Sequence, residues 1–281
     1  MKFSFCVNKY LLMWYMLYQS SISEDVHKLK QKLWNNHKKE YSKLYTEKDA
    51  IIEDLDDYIP NDDLIYSVVE DSEIYKKIKT ETNRYRLSLL EVWDLNRKTY
   101  LKELESILKI DLRDDYKIMV IHPSMNIIDI NKDNNMIIVG KKIVTRDKDN
   151  FLTYLFYKII KKMFLKLRYE DRDIIDTIIE LITINELYTR MINETRYNYG
   201  KKDYFELKQQ VYPYWLMYLG VKEDKFGEYM IRDNIFFNVG EYEYNSNLKE
   251  MDIYDFVGFI MKNKRKIFKK KIVNIDELEI I

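Results

Sequence analysis

The 281-residue chain contains few of the residues that interrupt regular structure. Only six glycines and three prolines are present, whereas an all-β fold needs many tight turns, which these two residues commonly form. Their scarcity therefore favours long helices. Cysteine is scarcer still. Cys6 stands alone, so no disulfide can form within the chain, and the composition fits a reducing compartment.

An excess of charge of one sign is also missing. Lysine and arginine together number 47, as do aspartate and glutamate. This balance gives no overall field that would attract nucleic acid or an acidic surface. No run of apolar residues approaches the roughly 18 that a membrane-spanning helix requires. On these grounds we expect no membrane span, and the balanced charge disfavours a nucleic acid partner.

The N-terminus admits two interpretations. Residues 10–18, YLLMWYMLY, form an apolar run after Lys9 and are followed by SSIS, an order that resembles a signal peptide and would imply secretion. However, Phe3, Phe5 and Val7 alternate with smaller or polar residues, which predicts a strand. A run so rich in Trp and Tyr is also atypical of a signal sequence. We expect a cytoplasmic protein, with secretion as the alternative.

Hydrophobic periodicity predicts an α+β protein that is mostly helical, with a small central sheet. We expect a single domain over residues 1–281, with a mainly helical part (1–110), a central part (111–195) and a helical C-terminal part (196–281). Strands are predicted at 3–7, 116–122, 126–130 and 136–144. Helices are predicted at 23–44, 64–110, 149–168, 171–193, 204–220 and 248–271. The helix at 204–220 is expected to be interrupted by Pro213.

The order of elements around residue 150 gives the most specific indication of function. After the strands comes an apolar helix at 151–166, FLTYLFYKIIKKMFLK, and a second helix carries Glu180. This layout resembles the gluzincin branch of the zincin metallopeptidases. In that branch an HExxH helix supplies two histidine ligands and a general base, and a glutamate on a following helix supplies the third ligand. The resemblance implies a zincin-like core within residues 111–195.

When the family's motif is placed on this chain, its metal-site positions are degenerate. The resemblance puts Tyr157 and Lys161 at the two histidine positions, Lys158 at that of the general base and Glu180 at that of the third ligand. Ile184 falls where many members have an acidic residue that orients a ligand histidine. Tyrosine and protonated lysine do not replace imidazole. We therefore expect no metal, no cofactor and no catalytic residue at this site.

Two interpretations of the 151–166 helix stay open. In the first, it is an ordinary amphipathic helix with a solvated lysine face, and Glu180 on the next helix is exposed. In the second, the lysines line a groove retained from an ancestral cleft. Lys158, Lys161 and Lys162 would then bind an anion or a carboxylate, and Glu180 would pair with Lys158 or Lys161.

The helix that follows residue 171 admits a further hypothesis. Asp173, Asp176 and Glu180 fall on one face, an arrangement that could hold two metal ions for phosphoryl transfer. The alternative is that acidic residues in the first turn complement the helix dipole, as Asp171 and Asp173 are placed to do. No other element supplies partner ligands, so we favour the second interpretation.

We expect a catalytically inactive, metallopeptidase-like protein that acts as a binding or structural module, with a protein or peptide as its partner. Two alternatives come from other classes. The basic run KNKRKIFKKK, residues 262–271, could make the chain a helical nucleic-acid-associated protein, although such runs also suit the carboxyl end of a helix. The other alternative is a hydrolase with an unrecognised site, since neither a G-x-S-x-G elbow nor a Gly-rich phosphate loop is present.

Overall fold

The structure, a computed structural model, describes most of the chain. The described residues are 1–18, 23–54, 57–60, 63–130, 135–141, 148–192, 204–238 and 242–268. The chain divides into two compact units. The first consists of Met1–Leu95 and Arg113–Lys148, and the second of Asn96–Leu112 and Asp149–Ile281. The boundary at Lys148 falls between the strands and the helices of the segment 111–195.

A four-stranded mixed sheet belongs to the first unit. Its strands are β1 (Phe3–Cys6), β2 (Tyr116–Val120), β3 (Ile127–Ile130) and β4 (Met136–Gly140). Their order is β1-β2-β4-β3, with β1, β2 and β4 parallel and β3 antiparallel to β4. Strands β2 and β4 are buried at nearly every position, which is typical of parallel strands covered on both faces.

The helices of the first unit lie between β1 and β2 in the sequence. They are α1 (Lys9–Tyr18), α2 (Glu24–Leu44), α3 (Lys48–Glu53), α4 (Leu64–Asp71) and the part of α5 (Glu73–Leu108) that ends at Leu95. Helix α1 is buried from Leu11 to Leu17, so the run that resembles a signal peptide forms part of the core. Helix α2 begins after Ser23, whose Oγ accepts a hydrogen bond from the N–H of Val26, and serine is a residue that commonly caps helices in this way.

The second unit is helical. After the end of α5 it contains α6 (Lys148–Leu165, from Asp149 onward), α7 (Arg172–Glu180), a π-helical turn (Leu181–Leu187), α8 (Tyr188–Ile192), α9 (Phe205–Tyr218), α10 (Phe226–Asp233) and α11 (Ile253–Ile267). Helix α9 continues through Pro213 and ends before Gly220, whose φ of 76° lies in the left-handed region that glycine adopts without strain. Trp215 and Tyr218 of α9 are fully buried, so they are core residues.

The prediction of a mostly helical α+β protein with a small sheet is confirmed. Helix α11 begins later than predicted, because Ser246–Glu250 forms a 3₁₀ turn and Asp252 caps the helix. The Asp252 carboxylate accepts hydrogen bonds from the N–H groups of Tyr254 and Asp255. The short helix α10 was missed, since it is only two turns long and has no strong cap.

Three predicted ends fall outside the described residues. They are residues 142–144, predicted to extend β4, residue 193, predicted to end the 171–193 helix, and residues 269–271, predicted to extend α11. Within the described residues, no helix combines the length and the apolar character needed to cross a membrane.

Candidate functional site

The positions predicted as a degenerate metal site lie on two helices of the second unit. Helix α6 carries Tyr157, Lys158 and Lys161, and Glu180 is the last residue of α7. Tyr157 and Lys161 are four residues apart and therefore lie on the same side of α6. Both approach the carboxylates of α7, but the ion pairs formed there differ from those predicted.

Lys161 forms an ion pair with Asp176 of α7. Its Nζ lies 2.6 Å from one carboxylate oxygen and 2.8 Å from the other. The hydroxyl of Tyr204 donates a further hydrogen bond of 3.3 Å to Asp176. Asp176 is buried, whereas the side chain of Lys161 keeps 36% of its surface exposed. The lysine therefore shields this carboxylate on its solvent side.

Glu180 forms an ion pair with Lys208 of α9, whose Nζ lies 2.9 Å from Oε2 of the carboxylate. The two side chains are only 4% and 2% exposed. The predictions that Glu180 is exposed or pairs with Lys158 or Lys161 are both wrong. Helix α9 contacts α7, and it places its own lysine against the carboxylate.

Tyr157 lies beside both of these carboxylates. Burial raises the pKa of its phenol, and the negative charges of Asp176 and Glu180 raise it further. The phenol therefore stays protonated at neutral pH. In that form it offers a hydrogen-bond donor at this position and not the anionic oxygen that a metal would prefer.

The other lysines of α6 have different environments. Lys162 is only 6% exposed and has a partner within the protein, so the prediction of one solvated lysine face is wrong at this position. Lys158 lies over the ring of Tyr154, with its Nζ 5.7 Å from the ring centroid. Tyr154 is exposed and stacks on Tyr157, with 6.0 Å between the ring centroids. Tyr154 is thus the most exposed residue of this group, and Lys158 lies beside it.

A π-helical turn, Leu181–Leu187, follows Glu180 directly. The N–H of Tyr188 bonds to the carbonyl of Thr183, five residues earlier, instead of to a carbonyl four residues earlier. Wide turns of this kind are rare and occur frequently at functional sites. The sequence predicts an unbroken α-helix over 171–193, so the turn is a correction to that prediction.

A second ionic cluster begins at Glu186, within the π-helical turn. Its carboxylate accepts hydrogen bonds from Arg190 at 2.8 Å and from Arg232 at 2.7 Å. Arg232 also donates to Asp233 at 2.7 Å, and Asp233 accepts a hydrogen bond of 2.5 Å from the hydroxyl of Tyr212. Burial raises the pKa of Asp233, while its bonds to Arg232 and Tyr212 act in the opposite direction. This cluster joins α8, α9 and α10 around the turn.

The carboxylates of Asp176 and Glu180 on α7 are paired with other residues of the protein. Among the residues that the structure describes, no group of three His, Cys, Asp or Glu side chains is placed to hold one ion. Asp176 and Glu180 are each paired with a lysine. The remaining carboxylate of the predicted two-metal face, Asp173, lies 3.5 Å from the hydroxyl of Tyr204. The two-metal arrangement is therefore not formed.

Lys208 is the residue of this site that the sequence analysis missed. Helix α9 is buried along most of its length, and Lys208 itself is 1% exposed. A lysine in a helix that has no polar face needs an acidic partner, because an unpaired buried ammonium is too costly. The aromatic, weakly amphipathic character of residues 204–220 was the signal that could have revealed a buried pair.

The basic run at the end of α11 is partly neutralised within the second unit. Lys264 pairs with Asp171 at 2.5 Å, and Lys266 lies 4.0 Å from Glu243. Residues 269–271 lie outside the described residues. A role of this run in nucleic acid binding stays a prediction.

No family model matches the chain, no curated protein is significantly similar to it, and no solved structure matches its fold significantly. A function therefore has to follow from the chemistry of the side chains themselves.

Proposed function

We propose that the second unit is a non-catalytic binding module with a zincin-like helix pair, in which the protein's own lysines have replaced a metal ion. The observation that carries this proposal is the buried pair of Glu180 and Lys208. The carboxylate at the third-ligand position already has an ammonium group 2.9 Å away. A zinc ion would displace this ammonium and leave it buried without a partner, which is costly.

The side chains of α6 also make the site unsuitable for a metal ion. Lys161, at a position where the family has a histidine ligand, brings a positive charge that Asp176 neutralises at 2.6 Å. Tyr157 at the other such position is a neutral phenol, since burial raises its pKa. The two carboxylates are paired with lysines, and no imidazole lies at the family's two histidine positions, so the site does not suit metal-assisted hydrolysis.

The ligand that fits this module is an acidic peptide segment. Tyr154, Lys158 and Lys161 form a partly exposed surface on α6, here named the α6 patch. An ammonium group attracts a carboxylate, and an exposed tyrosine ring gives contact area to an apolar side chain beside it. A peptide in which Glu or Asp alternates with an apolar residue offers both features.

Fluorescence anisotropy with a fluorescein-labelled peptide of alternating Glu and Leu tests the proposal. We expect the purified chain to bind this peptide, with an affinity that weakens as the salt concentration rises. Tyr154→Ala and Lys158→Glu should each weaken binding at least about tenfold, which corresponds to about 1.4 kcal/mol. Lys222→Glu is the matched control, because Lys222 is exposed in the same unit and its replacement changes the net charge equally.

Two results would contradict the proposal. One is an affinity that Tyr154→Ala and Lys158→Glu leave at the level of the Lys222→Glu control. The other is zinc at about one ion per chain in elemental analysis of the purified protein, together with its loss in Glu180→Ala.

A further inference from the structure

A second constellation, independent of the α6 patch, lies in the first unit. Strands β1, β2 and β4 are parallel, so their carboxyl ends share one edge of the sheet. In open sheets with parallel strands, ligands bind outside this edge. His122 and Ser124 follow β2 there, and helix α5 places Glu81 in contact with His122.

The three side chains form a continuous hydrogen-bonded chain. Ser124 Oγ lies 2.6 Å from His122 Nδ1, and His122 Nε2 lies 2.9 Å from Glu81 Oε2. The imidazole is buried at 8% exposure, whereas Ser124 is exposed and the Glu81 side chain is 41% exposed. The hydroxyl is therefore accessible to a substrate, and the base behind it is shielded from water.

The hydrogen bonds of the ring fix its tautomer. His122 Nδ1 accepts a hydrogen bond of 3.3 Å from the backbone N–H of Ser124, so in the neutral ring this nitrogen carries no proton. The proton then lies on Nε2, and this N–H donates a hydrogen bond to Glu81 Oε2. The Ser124 hydroxyl then donates to the same Nδ1, which is the orientation needed for the imidazole to remove its proton.

We propose that Ser124 is a nucleophile that accepts acyl groups from small esters, with His122 as its general base and Glu81 as a positioning residue for the imidazole. Nucleophile, base and orienting carboxylate in hydrogen-bond contact are the signature of activated serine chemistry on unrelated folds. Under this proposal, these three residues form the unrecognised hydrolase site that the sequence analysis kept as an alternative.

The backbone holds the nucleophile in a rigid position. Pro123–Met125 forms a 3₁₀ turn that begins with proline and ends at Asn126 in the left-handed region, with φ of 50°. The N–H of Met125 donates a hydrogen bond of 3.0 Å to the carbonyl of His122. On the neighbouring strand, a Cβ added at Gly140 would lie 2.9 Å from that carbonyl oxygen. Close packing of this kind keeps Ser124 and its base preorganised.

The reaction is an acyl transfer in two halves. Ser124 Oγ attacks the ester carbonyl carbon while its proton passes to His122 Nδ1, and the carbonyl electron pair moves onto oxygen. Collapse of the tetrahedral intermediate breaks the bond to the leaving alcohol, which takes the proton from Nδ1. Water then attacks the acyl-serine in the same way and releases a carboxylic acid. Ionised Glu81 stabilises the imidazolium in both halves.

Charges on α5 support an ionised Glu81 and indicate the substrate class. The hydrogen bond from His122 lowers the pKa of Glu81, and the charges of Lys77 and Arg84 lower it further. Lys77 and Arg84 are exposed and lie about one turn on either side of Glu81. Two cations next to Glu81, the carboxylate of this hydrogen-bonded chain, favour an ester whose acyl group carries a carboxylate or a phosphate.

The experiment follows nitrophenolate release from 4-nitrophenyl hemisuccinate by the full chain and locates the acyl group by peptide mass spectrometry. We expect a succinyl group on Ser124 and slower acylation by the neutral 4-nitrophenyl acetate. Ser124→Ala should abolish this labelling, and His122→Gln should slow it about a hundredfold. Glu81→Gln should lower the maximal rate without changing the half-saturating ester concentration, since Glu81 acts through the imidazole.

Two further variants separate chemistry from loss of fold. Ser124→Cys should still be acylated, because a thiol can replace the hydroxyl beside the same base. Ser88→Ala is the control, since Ser88 is exposed on α5 with its hydroxyl bonded to the Tyr85 carbonyl at 2.7 Å, and it should acylate like the unmodified chain. Equal rates for the unmodified chain and Ser124→Ala, or acyl groups found only on lysines, would overturn the proposal.

Discussion

Lys208 Nζ lies 2.9 Å from Glu180 Oε2, and neither side chain exposes more than 4% of its surface. Ile178 and Ile179 precede this carboxylate on α7, and both are fully buried. In such surroundings the two charges are stable only as a pair, because each alone would lose its hydration without compensation. The pair therefore joins α7 to α9. Its net contribution to stability is small, because the attraction between the charges is largely offset by the cost of their desolvation.

Removal of either partner should destabilise the protein strongly. Glu180→Ala leaves the Lys208 ammonium buried and unpaired, and we expect a loss of about 3–5 kcal/mol in the free energy of unfolding. The double variant Glu180→Met/Lys208→Met removes both charges and should recover most of this loss. Urea denaturation midpoints of the three proteins give the comparison.

The exposed pair of Lys225 and Glu228 provides the matched control. Its atoms are 2.5 Å apart, closer than those of the buried pair, but the side chains are 54% and 66% exposed. Glu228→Ala should leave the denaturation midpoint unchanged, because solvent screens such pairs. A Glu180→Ala midpoint equal to that of Glu228→Ala would contradict the stabilising role of burial at Glu180.

Rebuilding the zinc site tests the proposed zincin-like layout. Tyr157→His, Lys158→Glu and Lys161→His restore the HExxH motif, and Lys208→Met frees Glu180 to act as the third ligand. We expect the quadruple variant to gain thermal stability with zinc, by about 2.7 kcal/mol at a hundredfold excess over Kd. The triple variant that keeps Lys208 should gain much less.

Two controls make the zinc result specific. Adding Glu180→Ala to the quadruple variant should remove the zinc-dependent rise in melting temperature. A quadruple variant that is folded, as judged by circular dichroism, and yet shows no rise at saturating zinc would show that α6 and α7 do not have the zincin-like arrangement.

Two glycines should respond to alanine substitution in opposite directions. A Cβ at Gly140 would lie 2.5 Å from Ile121 Cγ1 and 2.9 Å from the His122 carbonyl oxygen, so Gly140→Ala should cost about 1–3 kcal/mol of stability through overpacking. Gly227 is exposed on α10 with nothing within 4 Å of the added atom. Gly227→Ala should stabilise by about 0.5–1 kcal/mol. Thermal melts of both variants show whether each substitution raises or lowers the stability.

Stability should fall steeply in alkali because many of the 25 tyrosines are buried. Burial raises the pKa of Tyr15 to about 12, with a contribution from Asp129, and burial also raises the pKa of Tyr66 and Tyr75. An unfolded phenol loses its proton near pH 10. At a pH between the pKa of the unfolded phenols and that of the buried phenols, the unfolded state binds fewer protons than the folded state. The free energy of unfolding therefore decreases as the pH rises above about 10.

The tyrosinate absorbance measures this effect. We expect a fraction of the phenols in the native protein to ionise only together with unfolding, seen as a simultaneous loss of helical circular dichroism. The urea-unfolded chain is the reference and should titrate in one step near pH 10. Complete, reversible titration of all tyrosines with native circular dichroism retained would contradict the burial of these rings.

Local patterns allowed much of the fold to be predicted from the sequence. Ser23 marks the start of α2 correctly because capping depends only on neighbouring backbone groups. Val26, Leu29 and Leu33 recur at helical spacing, and all three are buried in α2. In each case the physical cause lies within a few residues of its effect.

The site contacts could not be predicted because they join residues that are distant in the sequence. Glu180 meets Lys208 only because α9 packs against α7, and His122 meets Glu81 only because α5 runs past the end of β2. No periodicity within either segment encodes those distances. The π-helical turn escaped prediction for a related reason, since the apolar spacing in LITINEL is compatible with an ordinary helix.

The π-helical turn sets the rotational phase of the helix that follows it. Each hydrogen bond of the turn encloses one more residue than a hydrogen bond of an α-helix. Helix α8 is therefore rotated about its axis, compared with the position it would have if α7 continued as a regular α-helix. Deleting one residue within Leu181–Leu187 would turn α8 back by about 100°. A deletion before Glu186 would therefore turn Glu186 away from Arg232, to which it is now bonded, although every side chain outside the deletion kept its identity. The chemistry of this face is therefore set by helix geometry as much as by residue type.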